Sequence, residues 1–419
     1  MNAGEDQGIA SGSAVEDVVA PLPRVTLQAF CETPGVAATM QAAIADRRMD
    51  KAHARIHMGG PAAAVEAFRS APTPNIIVLE TVADAASLIG HLDMLSESCD
   101  SGTKVIVIGH VNDVQLYRDL IRRGVSEYLI APLGTLDVLK TLSELYVAPG
   151  ARNLGRIIAV MGAKGGVGAS TVSHNVAWAI ARNLDASTVI VDLDIAYGTA
   201  GLDFNQDPPQ GIAEAVFAPE RLDANMLDRL LSRCSDNLAL LAAPAMLDRT
   251  LDLPEDAFEQ LFDLLRATVP CVVLDVPHVW SGWARRALIS ADEIVVVAGP
   301  ELASLRNAKN LIDLARANRP NDAGPKLVLN QVGMPKRPEI DAAEFSKALG
   351  IDVLTSIPFD AQLFGTAANN GQMIAEVQAG GKIAEAFVQI ASSLTGRGEA
   401  KRSKRSLFEP LVAKLRRKA

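Results

Sequence analysis

The chain predicts two α/β domains in tandem, each an open parallel sheet covered by helices. Short apolar runs of strand length alternate with Ala- and Leu-rich stretches of helical length along most of it. One such strand leads through a glycine-rich loop into a helix, between residues 156 and 182. A turn-forming break, Val147-Ala148-Pro149-Gly150-Ala151-Arg152-Asn153, divides the series in two. With 419 residues, 49% of them hydrophobic, the chain has core material for two or three domains.

Residues 1–23 are mostly Gly, Ala, Ser, Asp and Glu. Without an apolar core they read as a disordered acidic lead, not a signal peptide. The first domain then spans 24–147. Val25–Phe30 reads as a strand, Gly35–Arg48 as a helix, and Ile76–Leu79 as a buried strand. A helix over Ala83–Glu97, the strand Val105–Ile108 and a helix over Val114–Arg123 follow. Tyr128–Ile130 and a helix over Thr135–Tyr146 close the domain. Five such units in about 120 residues imply an open, flavodoxin-like parallel sheet.

That arrangement resembles a response-regulator receiver domain, without its chemistry. The resemblance implies an aspartate phosphoacceptor after the third strand, where Glu80 stands, one methylene longer. The hydroxyl expected after the fourth strand is replaced at Gly109-His110, and the lysine expected before Pro132 is Ala131. The domain is expected to dock or dimerise, not to accept phosphate. Residues 148–154 form the linker.

The second domain, 155–396, opens with the strand Arg156–Met161, the loop 163–168 and a helix over Thr171–Arg182. The loop reads Ala163-Lys164-Gly165-Gly166-Val167-Gly168-Ala169-Ser170-Thr171. This is a phosphate-binding pattern: backbone amides of Gly165 through Thr171 and the helix N-terminus converge on one anion, and the Ser170 hydroxyl suits magnesium. Every position fits except Ala169, where a lysine would reach the outer phosphates. A second lysine, Lys164, stands at the front of the loop.

Lys-Gly-Gly-Val-Gly-x-Ser resembles the deviant P-loop of the MinD/ParA ATPase family, and later motifs match it in order. Val189–Asp194 is a strand ending in Asp-x-Asp, and Cys271–Pro277 is one ending in Asp-x-Pro. Ala291–Val297 follows, then Lys326–Asn330 and Ile357-Pro358-Phe359-Asp360. The resemblance implies that Asp194 orients attacking water and helps hold magnesium, and that Asp275, ending a strand of Walker B type, holds magnesium through its bound water. It places Asn330 and Pro358 beside the adenine. It makes Lys164 the signature lysine that crosses a homodimer interface to the partner's nucleotide, so ATP and dimerisation are linked. An Asp closing a buried strand also serves as a turn former or cap, and Asp192 is read that way. Loss of one charge-assisted contact at Ala169 costs roughly 1.5–3 kcal/mol, about ten- to a hundredfold in affinity. ATP binding is therefore expected with hydrolysis slow or absent.

Four cysteines lie scattered with no C-x-x-C pair, which excludes a metal-cluster reductase and fits a reducing cytoplasm. No run reaches the length needed to span a bilayer. Residues 397–419 hold nine Lys/Arg against two Asp/Glu, leaving 31 basic and 47 acidic residues before them. That acidic body disfavours DNA binding. In the tail, Leu407, Phe408, Leu411, Val412 and Leu415 share one helical face with basic residues flanking it. The tail suits contact with an anionic membrane surface or a partner protein.

A receiver-like domain without its phosphoacceptor, fused ahead of a MinD/ParA-like domain whose loop lacks a lysine, resembles the TadZ/CpaE family. The resemblance implies a localisation factor for Flp-type (tight adherence) pilus assembly, polar and peripheral to the inner membrane face, with pilus proteins as partners. The alternative is an active MinD/ParA-type ATPase placing division, flagellar or partition machinery.

Overall fold

A computed structural model describes residues 19–146, 154–244, 247 and 252–396. Most of the acidic lead, nearly all of the linker and the whole basic tail lie outside these residues. The described chain divides into two compact units. One comprises Val19–Leu154 together with Ile312–Gly324, and the other Gly155–Leu311 with the chain from Pro325 onward.

In the first unit the elements run β1 (Thr26–Cys31), α1 (Pro34–Ile44), β2 (His53–Met58), α2 (Gly60–Phe68) and β3 (Ile76–Glu80). α3 (Ala85–Ser96), β4 (Lys104–Gly109), α4 (Val114–Arg122), β5 (Glu127–Ile130) and α5 (Thr135–Glu144) complete it. The strands pair in the order β2-β1-β3-β4-β5, all parallel. Central β3 is buried along its whole length, as its unbroken apolar run requires. β2 and α2 are the elements with no individual place in the sequence reading. His53-Ala54-Arg55-Ile56-His57-Met58 is an edge strand with no fully buried residue, so it carries little apolar signal.

Within this unit Arg47 and Arg48 pair with Asp322, Arg48 also pairs with Asp46, and Asn321 donates to Asp46 at 2.9 Å. Asp322 is held down to about 2: burial alone would raise it, and Arg47, Arg319 and Arg48 overcome that. A buried ion cluster joining residues this far apart in the chain leaves no periodicity for a sequence to display.

The second unit opens with β6 (Arg156–Gly162), α6 (Ala169–Asn183), β7 (Thr188–Asp192), α7 (Ala200–Asp203), α8 (Ile212–Phe217) and α9 (Ala224–Leu230). Next come β8 (Ser232–Arg233), β9 (Leu238–Leu241), α10 (Glu259–Thr268), β10 (Cys271–Val276), α11 (Gly282–Ser290) and β11 (Glu293–Ala298). The series ends with α12 (Leu302–Asn318), β12 (Lys326–Val332), α13 (Ala342–Leu349), β13 (Val353–Pro358), α14 (Ala361–Asn370), α15 (Ile374–Val377) and α16 (Lys382–Thr395).

Eight strands pair in the order β13-β12-β11-β6-β10-β7-β9-β8, parallel except for the β8–β9 hairpin. Because β6 sits between β11 and β10, the loop after β6 emerges mid-sheet, where an open α/β sheet binds its ligand. α6 packs behind it, burying Val172, Val176 and Ile180 against Phe387, Ile390 and Leu394 of α16.

Candidate functional site

β6 delivers the phosphate-type loop on a strand buried from Ile157 to Gly162. Two glycines make its turn possible: Gly166 and Gly168 both sit at φ +80°, a left-handed conformation that side chains disfavour. A Cβ on Gly168 would also stand 2.5 Å from Asn330 Nδ2. The loop's carbonyls are held by side chains from two elements and one turn. Asn307 Nδ2 of α12 donates to Ala163 O at 2.9 Å. From β12, Gln331 Nε2 donates to Gly166 O at 3.0 Å and Asn330 Nδ2 to Val167 O at 2.8 Å. His278 Nδ1, after β10, lies 3.0 Å from Gly162 O.

A loop whose carbonyls are drawn outward presents its amides inward, the geometry of an anion nest. α6 adds to it. Its first ladder bond is Val172 N–H to Gly168 O at 3.0 Å, so the amides of Ala169, Ser170 and Thr171 precede the ladder at the positive end of the helix. Ala169, Ser170 and Thr171 are each half-buried, and Gly165 and Gly166 are exposed.

Lys164 Nζ pairs with Glu301 Oε1, within its own chain. The bond from Lys164 holds the Glu301 carboxyl below its ordinary range. Asp194 is half-buried in the turn after β7, its Oδ1 accepting from Tyr197 N–H at 3.0 Å. Asp192, buried at the end of β7, accepts from Asp194 N–H at 3.0 Å and Ala200 N–H at 3.1 Å, so it staples the turn that carries Asp194. Asp275 stands opposite Asp192 on β10. His174 of α6 lies between carboxylates, its Nδ1 2.8 Å from Asp203 and its Nε2 3.3 Å from Asp275. Burial alone would depress the imidazolium, but its hydrogen bond to Asp203 and the Asp275 carboxylate beside it prevail and push its pKa up to about 10. Asp192 is raised to about 7, by burial first and by the Asp275 charge second.

On the far side of the loop, Gly168, Thr171, Asn330, Pro358, Phe359 and Phe364 line one pocket. It joins the two residues assigned to the adenine to the start of α6, and its apolar and aromatic walls suit a flat base. Among the described residues no three acidic, His or Cys side chains form a ready cage for a metal. Ser170, Asp194 and Asp275 each carry side-chain oxygen, the ligand type magnesium takes alongside phosphate oxygens and water. The parts played by Glu301, Asn307, Gln331, His278 and the His174–Asp203 pair escape the sequence reading. Only His174 left a signal there, four residues after Ser170 on the same helical face.

Among the described residues the receiver-like unit has no comparable loop. Glu80 is fully buried and accepts from Glu32 N–H at 2.8 Å, Thr33 N–H at 2.9 Å and the Thr33 hydroxyl, with His110 Nε2 3.0 Å away. Burial would raise its pKa, and these bonds, from Thr33 first, lower it. The carboxylate that stands at the phosphoacceptor position is thus consumed in holding the β1–α1 turn to the ends of β3 and β4.

Comparison with known proteins follows the same lines. A family model described as an AAA domain matches residues 155–321. A septum site-determining MinD protein of Mesostigma viride is 30% identical over 226 residues, covering 52% of this chain and 75% of that protein. The crystal structure of MinD from Pyrococcus horikoshii, complexed with Mg-ADP, aligns over 57% of this chain and 96% of its own, at 20% identity and TM-score 0.51. The structure of a pilus assembly protein CpaE from Caulobacter crescentus shares 46% identity, covering 31% of this chain and 98% of its own, with TM-score 0.30.

Proposed function

Because this chain belongs to the MinD/ParA family of P-loop ATPases, we propose that it is a nucleotide-dependent localisation factor for pilus assembly. It binds ATP with magnesium, dimerises on the nucleotide and hydrolyses it slowly or not at all. The observation that carries this reading is the loop: a braced amide nest at the N-terminus of α6, with a methyl group at position 169. The amides of 165–171 cradle the phosphates, and the pocket at Asn330 and Pro358 takes the base. Magnesium, held by Ser170 with Asp194 and Asp275, would neutralise charge on the outer phosphates. Lys164, once released from Glu301, reaches the phosphates of a second copy, which links dimerisation to the triphosphate.

The pilus role, in place of division or partition, is supported by 46% sequence identity to the Caulobacter pilus assembly protein. A receiver-like domain with a buried Glu80, ahead of a loop lacking its lysine, supports it as well. The acidic body speaks against a DNA-partition role.

Calorimetry with Mg-ATP and a turnover assay on the whole chain test the reading. Binding with little phosphate release is expected; brisk hydrolysis would overturn the slow-ATPase claim, and absence of binding the whole reading. Light scattering with and without ATP should show a dimer that Lys164→Ala abolishes; an unchanged dimer would remove the trans role of Lys164.

A further inference from the structure

We propose that His278 is a phosphate-binding residue that supplies the outer phosphates with the cation missing at Ala169; this rests on the nucleotide-binding reading above. β10 runs beside β6 in parallel register, Val276 opposite Met161, so the residues that follow each strand emerge together. His278 stands at the centre of a tight turn closed by Val279 N–H onto Pro277 O at 2.7 Å. Its Nδ1 is 3.0 Å from the Gly162 carbonyl. A carbonyl oxygen only accepts, so Nδ1 carries the hydrogen and the ring is fixed at that edge. The other edge is turned to the loop. Cδ2, bonded to Nε2, lies 4.0 Å from where a side chain on Gly165 would begin. The residue as a whole is exposed, and no hydrogen bond to Nε2 is present among the described residues.

The other cations nearby are committed. Lys164 pairs with Glu301, and His174 is buried between Asp203 and Asp275. Among the described residues no carboxylate pairs with His278. With Nδ1–H donated to Gly162, Nε2 donates to a phosphate only when it too carries a hydrogen. The charged groups on the elements around it are Lys164 in the loop, Asp275 on β10 and Glu301 ahead of α12. Two of these neutralise each other, and the third is tied to His174.

Calorimetry on the full chain with magnesium and ATP, ADP or AMP tests the assignment in wild type, His278→Asn and His278→Ala. Asparagine places an amide donor near the Nδ1 position, keeping the Gly162 bond while removing the arm that bears Nε2. The expected result is ATP affinity about tenfold weaker in both variants, with ADP less affected and AMP unchanged. In an Ala169→Lys background the same His278→Asn change should cost less than about threefold, because the lysine then supplies the cation. ATP affinity equal to wild type in both variants would overturn the assignment and leave the nucleotide reading intact. Equal losses for ATP and AMP would also overturn it, making His278 a brace of the loop. A wild type that binds no ATP would overturn both.

Discussion

Ala169 is half-buried at the first position of α6, and its Cβ lies 3.4 Å from where a Cβ on Gly162 would be. Because Ala169 is only half-buried, a longer side chain there has solvent to extend into. Ala169→Lys is therefore expected to fold normally and to tighten ATP binding by about ten- to a hundredfold, read by calorimetry. Turnover should rise with it. His174 makes a second residue-level prediction. Its folded pKa, about 10, exceeds the ordinary 6.5, so its contribution to stability is complete below about pH 6.5 and is lost as pH climbs through about 10. Melting temperature should fall over that alkaline window in wild type and fall less in His174→Gln. His174→Ala, which leaves Asp275 and Asp203 without their shared cation, should destabilise by about 3 kcal/mol in chemical unfolding.

Among the elements, β12 shows how the loop is held. Its pairing with β13 shifts register between Leu329 and Val332, and Gln331 sits at φ +59°. This irregularity turns Asn330 and Gln331 together onto the loop, at a conformational cost of about 1–2 kcal/mol. Gly168 is the counterpart on the loop, where backbone conformation and the approach of Asn330 both demand the absence of a side chain. Gly168→Ala should displace Asn330 and lower ATP affinity by at least about tenfold, while the melting temperature changes by only a few degrees. Unchanged affinity would mean that the pocket beside Asn330 is not the base site.

For the whole molecule, charge is the informative quantity. Residues 397–419 carry nine basic side chains on a chain that is otherwise acidic, and they follow α16, which ends at Thr395. Truncation after Gly396 leaves Phe387, Ile390 and Leu394 in place against α6. The shortened protein should keep wild-type ATP affinity and stability but lose salt-sensitive cosedimentation with vesicles of anionic lipid. In cells a fluorescent fusion of it should no longer concentrate where the full chain does. Undiminished vesicle binding would place the anchor elsewhere. Among the described residues no helix is long and apolar enough to cross a membrane.

Local signals carried what the sequence determined alone. β3, β6 and β10 announce themselves as unbroken apolar runs because both faces of a parallel sheet are covered. The loop is legible because its glycines and Ser170 fall at fixed spacing between a strand and a helix, and the same spacing exposes Ala169. Tertiary structure decided everything that depends on residues distant in the chain. It paired Lys164 with Glu301, set His174 between Asp203 and Asp275, and brought Asn307, Gln331 and His278 onto the loop's carbonyls. It also made His53–Met58 an edge strand, a role that backbone pairing with β1 confers and side-chain pattern does not. Strand and loop chemistry repeat at short intervals and so are written in order along the chain. A hydrogen bond between side chains a hundred residues apart exists only once the sheet has set them side by side.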